Sequence, residues 1–176
     1  MALTATACTQ NIEQQLTTSR DAAQQLASSL KSKLKSSLQS GGPAEAISVC
    51  NLEAVNISSE LSKSFESHVG RTSLKIRNPS NAPDDWERKI LLSFVQQQNF
   101  GANIKNLEAY EIIKDEAGKW FRYMKAIPTA DVCLICHGES LAMPIQQKLK
   151  LLYPDDQATG YKVGEIRGAF TIKQKL

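Results

Sequence analysis

The stretch AYEIIKDEAGKWFRYMKAI, Ala109 to Ile127, decides the fold class. Ala109 to Lys114 reads as one strand, and Trp120 to Ile127 as a second, with Phe121, Tyr123 and Ile127 in alternation. Successive side chains of a strand point to opposite faces, so alternation marks strands with one face buried. Asp115-Glu116-Ala117-Gly118 between them resembles a hairpin turn. The pair predicts antiparallel sheet.

Pro128 to Asp131 leads straight from the second strand into Cys133-Leu134-Ile135-Cys136-His137, followed by Gly138. Two thiols three apart with an adjacent imidazole are the signature of c-type haem attachment. Both cysteines add to porphyrin vinyl groups, and His137 is then carried to the iron with little further ordering entropy. A redox-active Cys-x-x-Cys needs the same thiol spacing, but it sits at a helix start in a thioredoxin-like pattern that is not found upstream of Asp131. A structural zinc site needs four ligands, and a second cysteine pair at matching spacing is absent. The motif lies at a strand exit, on a loop or short helix held by a rigid scaffold.

Upstream, Asn11 to Leu38 reads as a long helix with Ile12, Leu16, Ala23, Leu26, Leu30, Leu34 and Leu38 at helical spacing. Its narrow stripe suits packing on the domain or against a second copy of the chain. Ser40-Gly41-Gly42-Pro43 stops it, and a second helix runs from Pro43 to about Ser64. There Ile47, Cys50, Ala54, Ile57 and Leu61 share one face, with Cys50 at its centre. Cys50 is read either as an inert buried thiol or, once a haem is accepted, as a thiolate on the second axial position.

Arg71 to Pro79 reads as a short extended segment ending in turn residues, and Asp84 or Asp85 caps the helix that follows, with Trp86, Ile90, Leu91 and Phe94 on its apolar face. Arg71 and Arg77 either clamp haem propionates or brace the loop through carbonyls and acidic partners. His68 is a conceivable distal ligand but reads better as a surface or loop histidine. Met143, six residues after His137 and opening a helix over Met143 to Leu151, reads as a core or ring-edge residue rather than a ligand. Gly164 to Ile172 ends in alternation that suggests a last strand, with Gly168 permitting close approach.

The 176 residues fit one domain able to bury about two thirds of its unfolded surface. The composition, 41% hydrophobic and 22% charged with net charge +3, is that of a soluble protein. It carries no dense basic stripe with interleaved aromatics, so nucleic acid is not an expected partner. No apolar run reaches the roughly 20 residues of a membrane span. Met1 to Cys8 is too short and polar for a signal-peptide core, so the sequence is read as a mature or truncated form of an exported protein. Cys8 is a possible lipid anchor but reads better as an incidental thiol.

Five segments together carry a resemblance: Ala46-Ile47-Ser48-Val49-Cys50, Gly70 to Pro79, Cys133 to Gly138, Tyr153 to Tyr161, and Gly164 to Ala169. Over Pro43 to Ile172 the chain resembles the PAS-like c-type-haem-binding domain. That family occurs as a free-standing soluble protein in cyanobacteria and as an extracytoplasmic sensor module of bacterial histidine kinases. The resemblance implies an α+β fold with a central antiparallel sheet flanked by helices, residues 1–42 forming a helical extension and 43–176 the haem-binding domain. It further implies one covalent haem c at Cys133 and Cys136, with His137 and the Cys50 thiolate as axial ligands. The expected function is redox or diatomic-gas sensing in the periplasm or thylakoid lumen, with a signalling or redox partner and a homodimer through the first helix. A soluble electron-transfer cytochrome is the alternative. A haem enzyme is disfavoured, because Cys50 would fill the site that catalysis needs open.

Overall fold

The computed structural model describes residues 3–176, with side chains from Asn11 onward; the Cys8 thiol therefore lies outside the described residues. Helix α1 (Leu3–Ser64) contains one non-helical residue, Gly42, with φ 72° and ψ −175°. Only glycine adopts that conformation without strain. Pro43 follows, where its missing N–H costs nothing at the start of a new arm. Lys33 pairs with Glu53 at 3.2 Å, and Ser28, Ser32 and Ser36 line one cleft with Glu53 and Ile57. The expected stop at Ser40 to Pro43 is thus a reversal, and the two arms lie side by side as a helical hairpin.

The chain continues through β1 (His68–Thr72), α2 (Asp85–Asn99), β2 (Glu108–Asp115), β3 (Gly118–Pro128), α3 (Leu134–His137), α4 (Met143–Leu152) and β4 (Ile166–Lys175). The four strands form one antiparallel sheet in the order β1-β4-β3-β2. The expected hairpin is present, closed by the Asp115–Gly118 pair with Ile112 opposite Phe121. The extended segment expected over Arg71 to Pro79 is corrected: the strand covers His68–Thr72, and after it the chain turns away to a single helical turn at Pro79–Asn81. A strand needs a partner for its backbone groups, and β4 pairs with this segment only as far as His68 to Thr72.

Alternation along β3 divides the core. Phe121 and Tyr123 face α1, packing with Ala22, Ala23, Leu26, Val69 and Ile172. Leu30, Ile57, Leu61 and Phe65 from both arms close that layer. The first helix's apolar stripe therefore meets the sheet. On the other face Met124 and Ala126 pack with Leu91 and Phe94 of α2 and Ala169 of β4. Each fully buried Leu or Phe contributes about 1.5–3 kcal/mol relative to an exposed one, so the two layers hold both helices to the sheet. Arg122, on the α2 face, reaches Asp84 at 2.5 Å and Glu87 at 3.0 Å. Asp84 and Glu87 also form the capping box that starts α2. The result is the expected α+β, PAS-like arrangement of a central antiparallel sheet with flanking helices.

Candidate cofactor site

The site begins where β3 ends. The β3–β4 register slips between Ile127 and Pro128, and Thr129 exchanges backbone bonds with Glu165 (2.8 Å) and Gly164 (2.9 Å). The strand exit is thereby clamped. A single helical turn, Asp131–Cys133, runs into α3, which carries Cys136 and His137. Gly138 ends the motif by donating to the Leu134 carbonyl at 3.0 Å. A Cβ there would stand 2.7 Å from that oxygen, which excludes any other residue in this geometry.

Next, the turn-rich connector closes over the motif. Tyr161 donates to the His137 carbonyl and Gly160 to the Gly138 carbonyl, each at 3.0 Å. His137 itself donates from Nδ1 to the Ala158 carbonyl oxygen at 2.6 Å. A carbonyl can only accept, so Nδ1 carries the proton and Nε2 keeps the lone pair that a metal needs. Burial, together with the guanidiniums of Arg77, Arg167 and Arg71, holds the imidazole down to about 3, so the ring stays neutral. Tyr161 stands edge-on to it at 6.3 Å.

Arg77 has the bracing role. It donates to the Cys136 carbonyl at 2.6 Å and the Ala158 carbonyl at 3.3 Å, and pairs with Asp156 at 2.9 Å. One guanidinium thus ties the attachment motif to the connector that orients His137.

Cys50, Cys133 and Cys136 are free, half-buried thiols. Cys136 packs in one apolar cluster with Ile47, Ile145, Leu149 and Tyr153, and Ile47 lies one turn before Cys50 on the second arm of α1. A negative charge on Cys50 would disfavour a thiolate at Cys136. Burial pushes both thiols up, while Arg71 and Lys33 partly offset this at Cys50. Residues from opposite halves of the chain therefore share one site. His68, by contrast, is exposed at the start of β1. Met143 is 68% exposed at the N-terminus of α4, which corrects the core half of its reading: α4 turns Ile145 and Leu149 inward instead.

Arg71 is pushed down to about 10, first by burial and then by the neighbouring Arg167 guanidinium. Arg167, at the entry to β4, has a buried Nε with no hydrogen-bond partner. Sequence reasoning passed over Arg167; a charge set between Ile166 and Gly168 at a strand entry is the signal that marks it. Tyr153 and Tyr161 were likewise quoted without a role.

Among the described residues, no group of three or more His, Cys, Asp or Glu side chains is placed to hold a bare metal ion. What is present is an attachment pair, an imidazole with a free Nε2, a second thiol within electrostatic reach, and guanidiniums beside them. That donor set fits a haem, whose macrocycle supplies the remaining metal ligands and whose carboxylates suit the guanidiniums.

Residues 7–174 match the Tll0287-like family, Tll0287. The crystal structure of the cyanobacterial heme-protein Tll0287 resembles this fold with a TM-score of 0.63 at 22% sequence identity, covering 94% of this chain and 95% of that one. No curated protein matches the sequence.

Proposed function

The chain belongs to the Tll0287-like family, and from that premise we propose that it is a c-type haem protein acting as a redox or diatomic-gas sensor. The observation that carries the reading is that Cys136 of the Cys133–His137 motif packs in one apolar cluster with Ile47, one turn before Cys50 on the far arm of α1. A haem held by Cys133, Cys136 and His137 would supply a one-electron iron couple and ligand exchange at the metal.

Each residue has a definite task. The Cys133 and Cys136 thiols each add S–H across one vinyl double bond, which forms a thioether and loses no atoms. His137 presents Nε2 because Nδ1 is committed to Ala158. Arg77 fixes the peptide that carries Cys136. Cys50 would be the exchangeable ligand of a bound haem: its thiolate would favour ferric iron, while burial favours the neutral thiol. Movement at Cys50 would be felt along the second arm of α1 and, across the Gly42 reversal, by the first arm lying on the sheet. That arm is the surface proposed for a signalling partner or a second copy. With Cys50 in the distal position, catalysis is not part of the reading.

Thioether attachment of haem generally takes place outside the cytoplasm, so the proposed location is extracytoplasmic. Among the described residues no helix is long and apolar enough to cross a membrane.

Absorption spectra of the ferric and ferrous protein, with and without CO, test the reading. Ligand-exchange sensing requires that the ferrous protein bind CO and that Cys50→Ala change the ferric spectrum. A ferrous form that stays six-coordinate and refuses CO would point to an electron-transfer cytochrome instead. An unchanged ferric spectrum in Cys50→Ala would remove the thiolate ligand from the scheme.

A further inference from the structure

Four arginines among the described residues are not exposed, Arg71, Arg77, Arg122 and Arg167, and only two of them are matched by carboxylates. Arg122, its side chain only 8% exposed, is matched by Asp84 and Glu87. Arg77, at 15%, is matched by Asp156. Matching is what burial demands, because an unpaired buried ion gives up its hydration with nothing to offset it. Arg71 and Arg167 break the pattern. Among the described residues neither is in an ion pair; the Nε of Arg167 is buried without a partner, as is that of Arg122, but Arg122 has its two carboxylates and Arg167 has none. They lie close enough to repel each other. The strands that carry them are neighbours, tied at this end by the hydrogen bond from Ser73 Oγ to the Arg167 carbonyl at 2.7 Å. Two like charges held together in a poorly hydrated place call for an anion between them.

We propose that Arg167, with Arg71, forms the seat for the haem propionates, and that Arg77 lies outside it as a brace. This rests on the haem reading above. Planar guanidiniums suit carboxylates because two parallel N–H donors meet two oxygens, and the unused Nε of Arg167 belongs to such a fork. Arg77 already has its carboxylate in Asp156.

The test uses the haem-loaded protein and its Arg167→Gln, Arg167→Lys and Arg71→Gln variants. Three readouts apply: haem staining of the denatured chain, the resonance Raman bending modes of the propionates, and the midpoint potential at fixed pH. Removing a positive charge beside the carboxylates favours ferric iron. Arg167→Gln should keep its haem, shift the propionate modes and raise the ferric-to-ferrous ratio at fixed poise about tenfold, which is about 59 mV for one electron. Arg167→Lys should recover most of that shift, which a merely structural role would not explain. If Arg167→Gln does not fold, Arg71→Gln carries the same Raman and potential readouts. Haem present with unchanged modes and potential in the Gln variants overturns the seat alone. A wild-type chain that carries no covalent haem overturns both this proposal and the reading beneath it.

Discussion

His137 donates its Nδ1 proton to the carbonyl oxygen of Ala158 at 2.6 Å, so a residue of the connector selects the ring nitrogen that faces the site. The bond is anchored from the other side by Arg77, which donates to the same carbonyl at 3.3 Å. The tautomer is therefore a property of the tertiary structure around Ala158.

The neutral state of His137 predicts a pH dependence. Its folded value is held at about 3 against an ordinary 6.5, so between those limits the unfolded chain binds a proton that the folded chain refuses. Stability from this group is complete above pH 6.5 and is lost as pH falls toward 3, at up to about 1.4 kcal/mol per pH unit. In a haem-free Cys133→Ala/Cys136→Ala chain, urea midpoints should fall between pH 7 and pH 5. Adding His137→Gln should remove that part of the slope; an identical slope with and without the histidine would contradict the assignment.

Arg77 and Asp156 predict a coupled loss. Their side chains are 15% and 9% exposed, so removing one partner leaves a buried charge and costs about 3–5 kcal/mol. Arg77→Met and Asp156→Asn should each lower the unfolding free energy, and the double variant should lose clearly less than the sum. Additive losses would show that the pair does not act as a unit.

Gly168 predicts a steric loss. A Cβ there would meet the Thr72 carbonyl oxygen at 2.4 Å and Ser73 Cβ at 3.2 Å, which forces β1 and β4 apart where Arg71 and Arg167 sit. Gly168→Ala should destabilise by about 1–3 kcal/mol in chemical denaturation. A neutral result would mean that the end of β1 yields easily.

The scaffold network should separate from the site. Glu87 accepts from Thr171 at 2.6 Å and from Arg122 at 3.0 Å on the α2 face. Glu87→Gln should lower stability, on the order of 3 kcal/mol, while leaving the haem absorption spectrum as it is in the parent. A changed spectrum with retained fold would place this network in contact with the cofactor.

The local features were legible in the sequence because their causes are local. The hairpin around Asp115–Gly118, the helix break at Gly42-Pro43, the cap at Asp84 and the motif ending in Gly138 each depend on a few neighbouring residues. Period and turn chemistry act over that range. The boundaries of β1 were not legible, since they depend on where β4 stops pairing.

By itself the sequence determined which residues can attach a haem, and that an apolar helix face presents Cys50. It also placed Arg71 and Arg77 near one another along the chain. Only the tertiary structure decided that the arm carrying Cys50 packs on the cluster that holds Cys136, that Arg77 turns to Asp156 and the motif's carbonyls, and that Arg71 and Arg167 lie on neighbouring strands. The physical reason is range. Spacing sets which face a side chain occupies over a turn or two, whereas the partner across that face depends on the packing of the α1 hairpin and the pairing of β4 between β1 and β3.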